Sequence, residues 1–127
     1  MTRELLSLGM FVFGMDSLPY SEMERRIDWR HALSERFGAR PASQFVGPGA
    51  DTITLSGMLV PEIAGSYGAI DRLIEMAGTG DHWPLVDGSG KVLGEFRIIA
   101  VDQRQKAIMA GGFARATDFA VDLERAD

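Results

Sequence analysis

The chain has no cysteine, which excludes disulfides, thiolate metal sites and cysteine nucleophiles, and with them any thiol redox chemistry. Lysine is almost as scarce, Lys91 and Lys106 being the only two. With 13 basic against 18 acidic residues and a net charge of -5, the chain lacks the clustered cations that wrapping a nucleic acid requires. There are only two histidines, His31 and His82, and far apart in sequence they cannot by themselves specify a metal site. No apolar run approaches the roughly 18 residues needed to cross a bilayer. The longest, around Met10 to Phe13, is soon interrupted by Asp16. Arg3 is followed at once by Glu4 and no small-residue cleavage site closes that run, so no membrane association and no secretory leader are predicted. The product is expected to stay in the cytoplasm where it is made.

What is present suits one folded domain spanning 1–127. The chain has 127 residues, 46% hydrophobic and 24% charged, close to the globular average, and no internal repeat or linker is visible.

Leu6 to Phe13 reads as one strand buried on both faces, with Gly9 as a bulge. From Ser21 to Leu33 the pattern alternates. Met23, Ile27, Trp29 and Leu33, with Arg25 and His31, take one face, predicted to be packed, and Glu22, Glu24, Arg26, Asp28 and Arg30 take a wet one. Gly38 to Asp51, rich in glycine and proline, is predicted as a long loop with one brief strand at Phe45–Val46. Thr52 to Val60 resumes period two, with Ile53, Leu55 and Leu59 opposite Thr52, Thr54 and Ser56, and Pro61 ends it.

Ile70, Leu73, Ile74 and Ala77 recur at helical spacing, which predicts a helix from about Ala69 to Ala77 with Gly78 as its stop. A hairpin follows. Trp83 to Val86 turns through Asp87-Gly88-Ser89-Gly90 into Val92 to Val101, with Val92, Phe96 and Ile98 on one face. A second hairpin joins Ala107–Ala110 to Thr117–Leu123 through Gly111-Gly112, with Phe119, Val121 and Leu123 inward and Asp118, Asp122 and Glu124 outward. About seven strands and one helix predict a mainly β fold, an antiparallel sandwich or barrel with a flanking α-helix.

Chemistry has few candidates, namely His31, His82, Asp81, Asp87, Ser89 and Lys91, and they form no recognised motif. Gly88-Ser89-Gly90-Lys91 precedes a strand, whereas phosphate loops open a helix, so a hairpin turn explains it better. The same stretch fails as a calcium loop because no glutamate follows at the bidentate position. No catalytic residue, metal or cofactor is therefore expected. The aromatics Trp29, Trp83, Phe11, Phe13, Phe96, Phe113 and Phe119 have acids beside them and read as core or interface packing, not as a base-stacking platform.

Several fragments, taken in order, resemble a known family. They are Leu8-Gly9-Met10-Phe11-Val12-Phe13, Gln44-Phe45-Val46-Gly47, Ile53-Thr54-Leu55-Ser56-Gly57, Pro61-Glu62, Trp83-Pro84-Leu85-Val86-Asp87-Gly88-Ser89-Gly90 and Asp118-Phe119. Together they are similar to the GpU tail proteins of temperate contractile-tailed phages and prophages. Ala114-Arg115-Ala116-Thr117 departs from that pattern, with Arg115 alone keeping its charge.

The resemblance implies a non-enzymatic structural subunit of the virion tail, of the tail-tube type, assembled in the host cytoplasm. It implies a hexameric ring between baseplate hub and tail tube that initiates the tube, in which strands of neighbouring copies close a barrel around a lumen. The implied partners are the chain itself, the tail tube protein, the baseplate hub and the tape-measure protein, with DNA passing through untethered. A tail terminator or completion protein of the same fold, or a small-ligand-binding β-barrel, stays open as an alternative. Glu22, Glu24, Arg26, Asp28 and Arg30 are the expected lumen-side residues. Phe45 and Val46, which an isolated loop would not expose without a partner, are with Arg40 and Arg115 the expected intersubunit contacts.

Overall fold

The structure is a computed structural model and describes residues 4–14, 17–60, 67–108 and 114–127. Its described strands are β1 (Glu4–Leu8), β2 (Phe11–Gly14), β3 (Tyr20–Arg36), β4 (Ala39–Leu59), β5 (Trp83–Asp87), β6 (Val92–Ile108) and β7 (Ala114–Arg125), and α1 (Tyr67–Thr79) lies between β4 and β5. All seven strands join one sheet in the order β2-β1-β5-β6-β7-β4-β3, every pair antiparallel. The sheet curls. Phe13 of one edge strand meets Tyr20 of the other edge-on, with ring centroids 6.3 Å apart. The mainly β sandwich-like architecture with a flanking helix is thus present.

Alternation builds the core. Ile53, Leu55 and Leu59 from β4, Phe119, Val121 and Leu123 from β7, and Phe96 and Ile98 from β6 are buried on the inner face. Leu6, Leu8, Phe11, Phe13 and Leu85 close on them from the other half of the sheet, and Ile70 and Leu73 of α1 complete the cluster. Fully burying each such side chain contributes roughly 1.5–3 kcal/mol, which makes this cluster the main source of stability.

Several expectations are corrected. Leu6 to Phe13 is not one strand with a bulge. Gly9 adopts φ 60 and turns the chain between β1 and β2, leaving Met10 exposed, and a Cβ there would lie 2.8 Å from the Trp83 ring. The helix runs two residues further than predicted at each end, to Thr79, with Gly80 (φ 74) and not Gly78 as its stop, and Ile74 faces outward while Ile70 and Leu73 pack. Val92–Val101 and the predicted start of the second hairpin at Ala107 belong to one strand, β6, which is described as far as Ile108, and Val92 is exposed whereas Phe96 and Ile98 are buried. The Gly111-Gly112 turn, Phe113 and Pro61-Glu62 lie outside the described residues.

The largest correction concerns Gly38 to Asp51, which is not a loop. Ala39 onward is β4, paired with β3 out to Arg36↔Ala39. Pro41 and Pro48 fall where β4 has a strand partner on one side only, the kind of position in which a sheet tolerates proline.

Candidate assembly interface

Beyond Thr52, which pairs with Glu124, β4 has left β7, and the segments Ile27–Arg36 and Ala39–Asp51 pair with nothing but each other among the described residues. They form a two-stranded arm of about ten residues per strand, or roughly 30 Å. Its turn is Phe37-Gly38, with Gly38 at φ 70 and Phe37 fully exposed.

Three register irregularities interrupt the arm, the outermost between Ser34↔Ala42 and Arg36↔Ala39. Opposite Asp28, β4 carries an extra residue between Asp51 and Pro48, and the Asp28 carboxylate (Oδ1) accepts a 2.8 Å hydrogen bond from the Ala50 N–H. A Cβ at Gly49 would sit 1.8 Å from that oxygen, so a side chain there would push the Asp28 carboxylate out of this bond. A second shift, between Arg30↔Gly47 and His31↔Phe45, leaves Val46 unpaired in the ladder.

The arm is apolar and uncovered. Trp29 is 57% exposed and Leu33 71%, with Met23 and Ile27 about two-fifths exposed, so the face predicted to be packed is left open among the described residues. Phe45 stacks edge-on to His31 at 5.5 Å and is still 59% exposed, and Val46 is 61% exposed. Exposed apolar side chains gathered on one projecting element make the arm a candidate interaction site.

An ionic knot anchors the arm to the body. Arg25 Nε and Nη2 donate to Asp51 Oδ1 and Oδ2 at 3.0 and 2.6 Å, and Asp51 is buried. That hydrogen bond raises the Arg25 pKa above its ordinary value. Arg125 lies 3.6 Å from Asp51 and donates to Asp127 at 2.7 Å, holding the Asp127 carboxyl below the ordinary range. Beside the knot is a recess of about 410 Å³ walled by Ile27, Trp29, Pro48, Asp51, Arg125 and Asp127.

The second feature is the outer face of β3-β4-β7-β6. Thr52, Thr54 and Ser56 point away from the core, and the register sets Glu22 beside Ser56, Glu24 beside Thr54, and Thr54 beside Asp122. Thr54 Oγ1 donates to Asp122 Oδ1 at 2.8 Å, and Arg97–Glu124 and Lys106–Asp118 form ion pairs across β6 and β7.

The expected site residues divide. Glu22, Glu24 and Arg26 lie on this polar face, whereas Asp28 and Arg30 lie on the arm. Phe45, Val46 and Arg40 are together on the arm. Arg115 belongs to the far end of β7, near the Ile108↔Ala114 pair, and its side chain lies outside the described residues. Sequence reading missed Asp102, Arg104 and Lys106, which extend the polar face along β6; intervening Gln103 and Gln105 blur the alternation that would have shown them. Asp87 is a turn residue. Its Oδ1 accepts from Ser89 Oγ at 2.6 Å and from the Ser89 and Lys91 N–H groups, and these bonds, the Ser89 hydroxyl first, hold its pKa below the usual value. His82 lies 3.6 Å from Glu95.

The chain is 32% identical over 124 residues to a probable tape measure protein of Halomonas phage phiHAP-1, covering 96% of this chain but spanning only 14% of the length of that relative. Among solved structures, the tail of an empty gene transfer agent particle refined with C6 symmetry superposes with a TM-score of 0.61 at 13% identity, covering 98% of this chain and 92% of that one. The sheath-tube complex of an extracellular contractile injection system gives 0.51 at 10% identity, covering 98% of this chain and 85% of that one. The sequence matches the family described as Phage P2 GpU over residues 9–127, nearly all of it, and the chain is therefore a member of the GpU family of phage tail proteins.

Proposed function

We propose that six copies of this structural tail protein, each acting as one domain over 1–127, form the ring on which the tube of a contractile tail is initiated. In this reading Glu22, Glu24 and Arg26 of each copy line the lumen, and the arm reaches across to an adjacent copy or ring. The observation that carries it is the arm, with Trp29, Leu33, Phe45 and Val46 all more than half exposed and no cover over them among the described residues. The C6 symmetry of the gene transfer agent tail supports the six-fold count.

A polar outer face with several carboxylates suits a lumen that lets DNA slide, since it offers phosphate little to hold. The likeness of this sequence to a stretch of a probable tape measure protein supports the tape-measure end of the tail, with baseplate hub and tube protein as neighbours. The test is the mass of the purified protein together with negative-stain imaging, with and without the hub. Rings, alone or on the hub, are expected; a stable monomer that ignores the hub would overturn the initiator role and favour a terminator.

A further inference from the structure

We infer that the β3 edge of one copy pairs antiparallel with the free β6 edge of the next, in the register that sets Glu22 opposite Lys106, Glu24 opposite Arg104 and Arg26 opposite Asp102. This rests on the ring reading above and names the strands that close it.

Among the described residues β3 has a strand partner on one side only, and β6 pairs with β5 only over Val92–Phe96, so from Arg97 to Ile108 its outer side is open. Both open edges belong to the same polar-faced run β3-β4-β7-β6. Neither carries a proline, and an unblocked strand edge is a template for another chain. Direction follows from the ladder. Three antiparallel steps separate β3 from β6, so β6 runs opposite to β3, and a copy related by rotation presents β6 antiparallel to its neighbour's β3.

Charge then selects the register. Within one chain, Glu22, Ser56, Ala120 and Asp102 share a rung, and so do Arg26, Thr52, Glu124 and Arg97. A neighbour continuing at the same level would set Glu22 against Asp102 and Arg26 against Arg97, like charges both times. A slip of one residue would turn the polar face of one strand toward the core face of the next. A slip of two gives Glu22–Arg104 but Glu24–Asp102. A slip of four gives opposite charges at all three pairs. A slip of six gives Glu24–Lys106 but sets like charges at Arg26–Arg104 and Asp28–Asp102. Directly opposed unlike charges stabilise a strand pair and like charges destabilise it, so the four-residue slip is favoured.

Barrel geometry independently disfavours the level and two-residue registers, whose tilts of about 0° and about 19° fall short of closed barrels. Four residues rise about 13 Å while four strands span about 19 Å, a strand tilt of about 35°, within the 35–45° of closed barrels. The tilt depends on the slip per copy and not on the number of copies.

The absence of cysteine makes the test clean. Glu24→Cys with Arg104→Cys, in the full chain and assembled into particles, is expected on oxidation to give a covalent ladder ending at the ring size. The control pair Glu24→Cys with Ala100→Cys reports the level register and is expected to give none. In parallel, Glu24→Arg and Arg104→Glu should each reduce incorporation, and the two together should restore it, with unchanged melting of the free chain showing that all of them fold. Rings that image normally but give no 24–104 ladder, or a 24–100 ladder, would overturn the pairing and leave the ring reading intact. Absence of rings from the unmodified protein would overturn both.

Discussion

Replacing Phe45 and Val46 by serine separates assembly from folding. Phe45 is 59% and Val46 61% exposed, so burying the remainder at roughly 3 kcal/mol for a whole Phe and roughly 1.5 for a whole Val contributes about 2.5–3 kcal/mol per copy. That is about a hundredfold in the equilibrium for each contact. In the isolated chain the same change removes only the smaller fraction already covered. Leu55→Ala is the comparator: Leu55 is 0% exposed between Ile53 and Val121, and the cavity should cost about 3–4 kcal/mol of folding stability. The assay is thermal melting of the free chain beside incorporation into particles, measured by sedimentation and imaging. Phe45→Ser/Val46→Ser should melt within a few degrees of the parent yet fail to incorporate, and Leu55→Ala should melt far lower. Wild-type incorporation of the double variant would refute the assignment of the arm as a contact.

Two further outcomes test the fold itself. Gly57→Ala should destabilise by about 1–3 kcal/mol in denaturant titration, because its Cβ would lie 2.8 Å from the Pro19 carbonyl and 3.0 Å from the Tyr20 Cα, backbone atoms that cannot turn aside. Asp87→Asn tests the turn: the folded carboxyl titrates below its ordinary value of 3.8, so its contribution is present above that pH and is lost as pH falls through the lower folded value. The wild-type advantage in melting should accordingly hold at neutral pH, begin to shrink only below about pH 4, and disappear once the pH has fallen through the lower folded value. An advantage that grew on acidification would contradict the turn's hydrogen bonds.

Period-two alternation in Thr52–Val60 and Thr117–Leu123 was enough to assign Ile53, Leu55, Leu59, Phe119, Val121 and Leu123 to the core, because neighbouring side chains of a strand must point to opposite faces. The helix and the Asp87–Gly90 turn were legible for equally local reasons, spacing in one and turn chemistry in the other. Alternation could also say that Met23, Ile27, Trp29 and Leu33 share a face, but not whether anything covers that face. Only the tertiary structure shows the cover ending where β4 parts from β7.

The same limit explains Gly38–Asp51. Glycine and proline signal a loop when the backbone has no partner, yet β3 lies alongside, and pairing with it satisfies the ladder while bulges at Gly49 and Val46 absorb the irregular residues. The sequence by itself therefore determined the class of fold, the core face of its central strands and the absence of thiol chemistry. Which edges stay open, and that the arm projects with its apolar side bare, depended on pairings between residues distant in sequence, which no local pattern encodes.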